Sequence, residues 1–101
     1  SPGDYPQRDL STTVEKGRVY RLTAYVRLKN KPEADIKLVV VQNGQDKILV
    51  RRTCSDQKWT FLTGDFNCNP EGELSSVHFT VQCLDASVEF FIDDVECVSS
   101  L

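Results

Sequence analysis

The chain has 101 residues, 12 basic against 15 acidic side chains, four cysteines and a single tryptophan. That length holds one domain with its own core and excludes two, and 40% hydrophobic with 27% charged residues excludes a disordered tail. A formal charge of -3 argues against a general binder of nucleic acid or anionic membrane, and the longest apolar run, Leu38-Val39-Val40-Val41, is far short of a membrane span.

In chain order, Ser1 to Asp9 is rich in proline, glycine and charge and is expected to be irregular or a short edge segment. The chain opens on Ser1 and not on methionine, so it is expected to be a processed product or an excised piece, and the lack of a leader carries no weight. After Gly17 a period of two begins: Tyr20, Leu22, Ala24, Val26 and Leu28 alternate with Arg21, Thr23, Tyr25 and Arg27. Asn30 to Glu33 breaks this strand. Ile36–Gln42 is a β-branched run, Asn43-Gly44 is a hairpin turn whose two central residues need positive φ, and Ile48–Cys54 returns. Trp59–Phe66 is a fourth strand, with Leu62, Gly64 and Phe66 on one face and Trp59, Phe61 and Thr63 on the other. Asn69-Pro70-Glu71-Gly72 is the strongest loop. Val77, Phe79 and Val81 mark a fifth strand, and Val88–Val98 is the sixth. No capped helical window competes, so strands at short spacing imply an all-β, antiparallel β-sandwich in one domain spanning 1–101, with 1–16 partly irregular.

Catalysis by a nucleophile needs a base beside it, and the one histidine, His78, sits mid-strand on a polar face. No GxSxG, HExxH or phosphate-loop pattern occurs, so the chain is read as not an enzyme. Cys54, Cys68, Cys83 and Cys97 form no CxxC, which with a single histidine leaves a zinc cluster unsupported. Their even number favours an extracellular setting, although buried free cysteine is also common, and the sequence does not choose among three disulfide pairings.

Asp93-Asp94 interrupts an apolar strand, so one of the two must face the core or sit on a bulge. A buried carboxylate requires hydrogen bonds, an ion pair or a hard cation such as calcium, and a structural, hydrogen-bonded aspartate is the simpler reading. Tyr25, Phe61 and Trp59 lie opposite the apolar positions of their strands. If those strands are neighbours, they make an exposed aromatic strip beside Arg21 and Arg27, suited to stacking on sugar rings or to a protein partner. A covering loop or segment would instead make that strip core. Arg51 and Arg52 point to opposite faces and read, with Lys47 and Lys58, as a solvated strand edge.

Gly17-x-x-Tyr20-x-Leu22-x-Ala24-Tyr25-Val26-Arg27, Trp59-x-x-Leu62-x-Gly64-x-Phe66 and Phe90-Phe91-Ile92-Asp93-Asp94-Val95, in that order, resemble the carbohydrate-binding modules of the family four, nine and twenty-two type, which are appended to xylanases and cellulases. The resemblance runs over roughly residues 8 to 98. It implies a galactose-binding-like jelly roll with Tyr20–Leu28, Trp59–Phe66 and Phe90–Val98 in one sheet. It also implies a non-catalytic module attaching a larger, secreted protein to a polysaccharide or glycan. A protein-interaction or adhesion role on the same fold is the alternative, and a structural domain packed on a neighbouring domain is a third reading. The carbohydrate-binding residues it implies are Tyr25, Arg27 and Phe61, with Trp59 near the rim; Asp93 or Asp94 would help to hold a structural calcium. The family's usual opening, an asparagine followed closely by Phe-Glu and later a tryptophan, is absent, so the sandwich is expected to be either abbreviated or cut at its front, with an exposed sheet edge or a second chain pairing to cover it.

Overall fold

The computed structural model describes residues 7–11, 14–69, 72–85 and 87–99. Among them are seven strands: β1 (Gln7–Asp9), β2 (Val19–Leu28), β3 (Glu33–Gln42), β4 (Gln45–Ser55), β5 (Thr60–Asn67), β6 (Val77–Cys83) and β7 (Phe90–Ser99). All pair antiparallel, in one sheet of order β1-β6-β3-β4 and a second of order β5-β2-β7. The second sheet unites the three segments that the family resemblance assigns together. The short edge segment expected near the start is β1, while residues 1–6 lie outside the described residues. Several boundaries differ from the sequence reading; β4 begins at Gln45 and not at Ile48, and β5 begins at Thr60, leaving Trp59 just before it. The β3–β4 hairpin begins at Glu33 because its ladder extends to the Glu33–Ser55 pair, and Val88 lies buried before the last strand, not in it.

The strand pattern follows from the pleat. Tyr20, Leu22, Ala24, Val26 and Leu28 of β2 are buried, and between them Arg21 and Tyr25 are exposed. Leu62 and Phe66 of β5 and Val77, Phe79 and Val81 of β6 point into the same core as Ile36, Leu38 and Val40 of β3. Each such side chain contributes about 1.5–3 kcal/mol when withdrawn from water, so this two-layer interior is the main source of stability. Tyr20 stacks on Phe66 with ring centroids 5.7 Å apart, and its hydroxyl accepts the Glu15 N–H at 2.7 Å.

The hairpin turn has the backbone its sequence demands, with φ of 49° at Asn43 and 81° at Gly44. Farther along, the register shifts between Leu38 and Val39, leaving Leu49 as the extra residue of a bulge on β4. Leu49 lies against Gly64 of β5, where an added Cβ would stand 2.7 Å from the Leu49 Cβ. This contact joins the two sheets along the β4–β5 side. On the other side β7 is an edge strand, and its inward residues Phe90, Ile92, Val95 and Cys97 are only partly buried.

Candidate functional site: two sheet faces

The outer face of β5-β2-β7 carries the aromatic strip. Antiparallel pairing sets Tyr25 of β2 opposite Phe61 of β5, and Arg27 opposite Phe91 of β7. The Tyr25 and Phe61 rings are 5.0 Å apart at 46°, and Tyr25, Trp59, Phe61 and Phe91 are each 38 to 41% exposed. The Arg27 guanidinium lies 5.3 Å from both the Trp59 and the Phe91 ring centres, and the Lys29 ammonium is 4.5 Å from Phe91. Tyr25, Arg27, Trp59 and Phe61 are therefore brought together on one face. Phe91 and Lys29 belong to the same surface and were absent from the sequence reading. The signal for both was parity: Phe91 is two residues from Asp93, and Lys29 two from Arg27. At the far end Arg21 and Asp65 form an ion pair at 2.9 Å, and Arg52 donates to the Phe61 carbonyl at 2.8 Å.

The outer face of the β1-β6-β3-β4 sheet is different. Lys37, Val39 and Val41 of β3 point outward beside His78, Thr80 and Gln82 of β6. Val39 and Thr80 stand opposite each other, yet only 1% and 2% of their surfaces are exposed. Val39 lies outside the core cluster, and the Thr80 hydroxyl has no hydrogen-bond partner among the described residues. The middle of this face is thus covered although it faces away from the core. Near it, hydrogen bonds from Thr53 and Arg51 hold the Asp35 carboxyl below the usual carboxylate range.

A third feature is a cleft of about 620 Å³ at the hairpin end, lined by Gln42, Gln45, Asp46, Lys47, Asn67 and Asn69 beside Asn43. Its walls are amides and charges, without an aromatic platform.

Asp93 and Asp94 sit on a β-bulge. The register jumps from Tyr25–Asp93 to Thr23–Glu96, Asp94 takes φ 51°, and the Asp93 carboxylate accepts the Asp94 N–H at 2.9 Å. Both side chains are exposed, and no cluster of three metal-binding side chains forms among the described residues. A calcium cage needs six to eight oxygens, of which Asp93 and Asp94 would supply only a part. The structural reading, an aspartate accepting a backbone bond at a bulge, accounts for the geometry.

The four cysteines are free thiols, three of them buried. Cys54 pairs with Ala34 and Cys83 with Ile36 on opposite sides of β3, so they stand more than two strand spacings, or about 9–10 Å, apart, beyond the about 7 Å Cα limit for a disulfide. Burial raises the Cys54, Cys68 and Cys97 thiols above their ordinary range, and the Cys54 thiol donates to the Arg52 carbonyl at 3.8 Å. Such thiols are poor nucleophiles.

Residues 1–87 match the carbohydrate-binding domain family of the four-and-nine type, and the chain belongs to that family. It is 28% identical over 90 residues to an exoglucanase, XynX, of Acetivibrio thermocellus, covering 81% of this chain and 8% of that protein. Its fold superposes on the first CBM22 xylan-binding domain of Paenibacillus barcinonensis Xyn10C with a TM-score of 0.83 at 24% identity, over 98% of this chain and 66% of that one. A Clostridium thermocellum xylanase 10B fragment complexed with xylohexaose gives the same TM-score at 14% identity, over 99% of this chain and 20% of that one. The chain therefore spans a small part of the curated relative and about two thirds of the first structural one. It is a carbohydrate-binding β-sandwich with the jelly-roll architecture of those neighbours, and the protein-adhesion alternative is not favoured.

Proposed function

We propose that this domain is a non-catalytic module that holds a larger, secreted polysaccharide-degrading protein on a xylan-type chain, gripped on the outer face of β5-β2-β7. The observation that carries the site is the exposed aromatic row: Tyr25 paired with Phe61, Trp59 at the rim and Arg27 between two rings. Apolar ring faces stack on pyranose C–H surfaces, while the Tyr25 hydroxyl and the Arg27 N–H groups are donors for sugar oxygens. The xylan-binding domain and the xylanase complexed with xylohexaose among its structural neighbours support xylan as the polymer.

One observation favours a second reading, in which the sugar lies on the opposite sheet. A hydroxyl buried without a partner costs about 1–3 kcal/mol, and Thr80 carries one on an outward-facing position.

Titration calorimetry with soluble xylan and β-glucan separates the two. On the first reading the Tyr25→Ala/Phe61→Ala double variant, folded by circular dichroism, loses at least tenfold in xylan affinity, and Thr80→Val loses none. Full affinity in the double variant with loss in Thr80→Val overturns the first reading and establishes the second.

A further inference from the structure

Of the seven large hydrophobic side chains exposed among the described residues, five lie on one surface, the outer face of β5-β2-β7: Tyr25, Trp59, Phe61, Phe91 and Val98. Hydrophobic residues exposed singly are ordinary, whereas a contiguous patch marks a contact with another macromolecule. Two of the four rings already carry cations of their own chain, Arg27 at Trp59 and Phe91 and Lys29 at Phe91. This is the mixture of aromatic rings and arginine in which protein interfaces are enriched. The charges of the face are divided by register. Arg27 and Lys29 stand at one end. Asp93, opposite Tyr25, and Glu96, opposite Thr23, stand towards the other, and none of the four forms an ion pair among the described residues. Beyond them Arg21 and Asp65 neutralise each other at 2.9 Å.

A surface positive at one end and negative at the other complements a copy of itself turned end for end. Two identical sheets meet face to face about a two-fold axis lying between them, which runs either along the strands or across them. An axis along the strands sets like charge upon like. An axis across the strands, level with Val26, brings Arg27 to the level of the partner's Asp93 and Lys29 to that of the partner's Glu96, with Phe61 meeting the partner's Trp59.

We propose that this face is the interface of a homodimer, two domains held back to back with their strands antiparallel. The proposal rests on the second reading of the sugar site, with the polymer on β1-β6-β3-β4, because one surface does not hold both occupants. The dimer then turns two sugar-binding sheets outward and gains avidity for a polymer. About eight residues on each of three strands, at about 3.4 Å per residue and about 4.8 Å between strands, cover roughly 400 Å² in plan. That is small beside the about 800 Å² per partner of a standard interface, so the dimer is a weak and reversible one.

Sedimentation equilibrium of the whole chain tests this. The expected result is a monomer–dimer equilibrium with a Kd of about 10–100 µM, weakened several-fold at high salt. Phe61→Ala raises that Kd about tenfold or more. Lys29→Glu and Glu96→Lys, both at exposed positions, each weaken self-association, and an equimolar mixture of the two recovers a dimer as tight as the parent. Saturating xylohexaose leaves the parent Kd unchanged. A monomer at every concentration, or a mixture no tighter than its components, overturns the proposal. The two failures are distinct. A dimer that xylohexaose dissociates removes the second reading and with it the back-to-back arrangement, whereas a chain that binds xylohexaose yet stays monomeric removes only the interface.

Discussion

Asn43 does two jobs from one position. Its backbone supplies the positive φ that opens the hairpin turn, and its side chain reaches a loop some thirty residues on. The side-chain oxygen accepts the Ser75 N–H at 2.8 Å, the Ser75 hydroxyl at 2.8 Å and the Ser76 N–H at 3.1 Å, while its NH₂ donates to the Glu73 carbonyl at 3.0 Å. The two jobs separate in urea unfolding. Asn43→Gly keeps the turn conformation and loses the anchor, and is expected to cost about 1–2 kcal/mol. Asn43→Ala adds backbone strain and is expected to cost roughly 1 kcal/mol more. The turn was legible because Asn-Gly is a local signal. The anchor was not, because its partners come from residues far away in sequence. The Asp93-Asp94 bulge was legible for a related reason: two adjacent acids cannot both face water in a regular strand, so the ladder had to break near them.

At the level of strands, alternation fixed which side chains face inward, and the three motifs shared with the family placed β5, β2 and β7 side by side. The bulge at Leu49 had no such signature, since Ile48-Leu49-Val50 reads as a continuous apolar run. Its purpose appears only where the sheets meet, because the extra residue carries Leu49 onto Gly64. Gly64→Ala is expected to destabilise the domain by about 1–3 kcal/mol, read as a lower urea midpoint, because the new methyl meets the Leu49 Cβ and carbonyl. Gly64→Ala combined with Leu49→Ala is expected to cost less than the sum of the two single changes, as for groups in direct contact. The glycine of the second family motif is thereby given a physical reason.

For the whole molecule, the sequence placed Tyr25, Arg27, Trp59 and Phe61 on one surface because strand parity is a global constraint. It did not reveal that Val39 and Thr80 are covered on the opposite surface, since burial of an outward residue depends on sheet curvature and on neighbours distant in the chain. Nor did even spacing of cysteines predict their state, which depends on where four inward positions fall within the layers. Those thiols give the domain an alkaline limit. The folded Cys54, Cys68 and Cys97 keep protons that the unfolded chain releases in the ordinary thiol range. Their contribution is whole below that range and declines as pH rises from it towards the raised folded values. Melting midpoints by circular dichroism are expected to fall as pH rises above about 8.5, and less steeply in Cys54→Ala.

The unequal flanks of the sandwich set the direction in which it breathes. With Leu49 pressed on Gly64 along one long side, and β7 holding its inner row half in water along the other, the layers behave like covers on a spine. Fluctuations open the fore-edge first, so the β7 amides unzip at lower free energy than those of β2 or β3. Phe91 is carried on that loose strand, whereas Tyr25 and Phe61 sit nearer the spine. The aromatic surface therefore has a firm half and a compliant half, and the cations stacked on Phe91 ride with the compliant one.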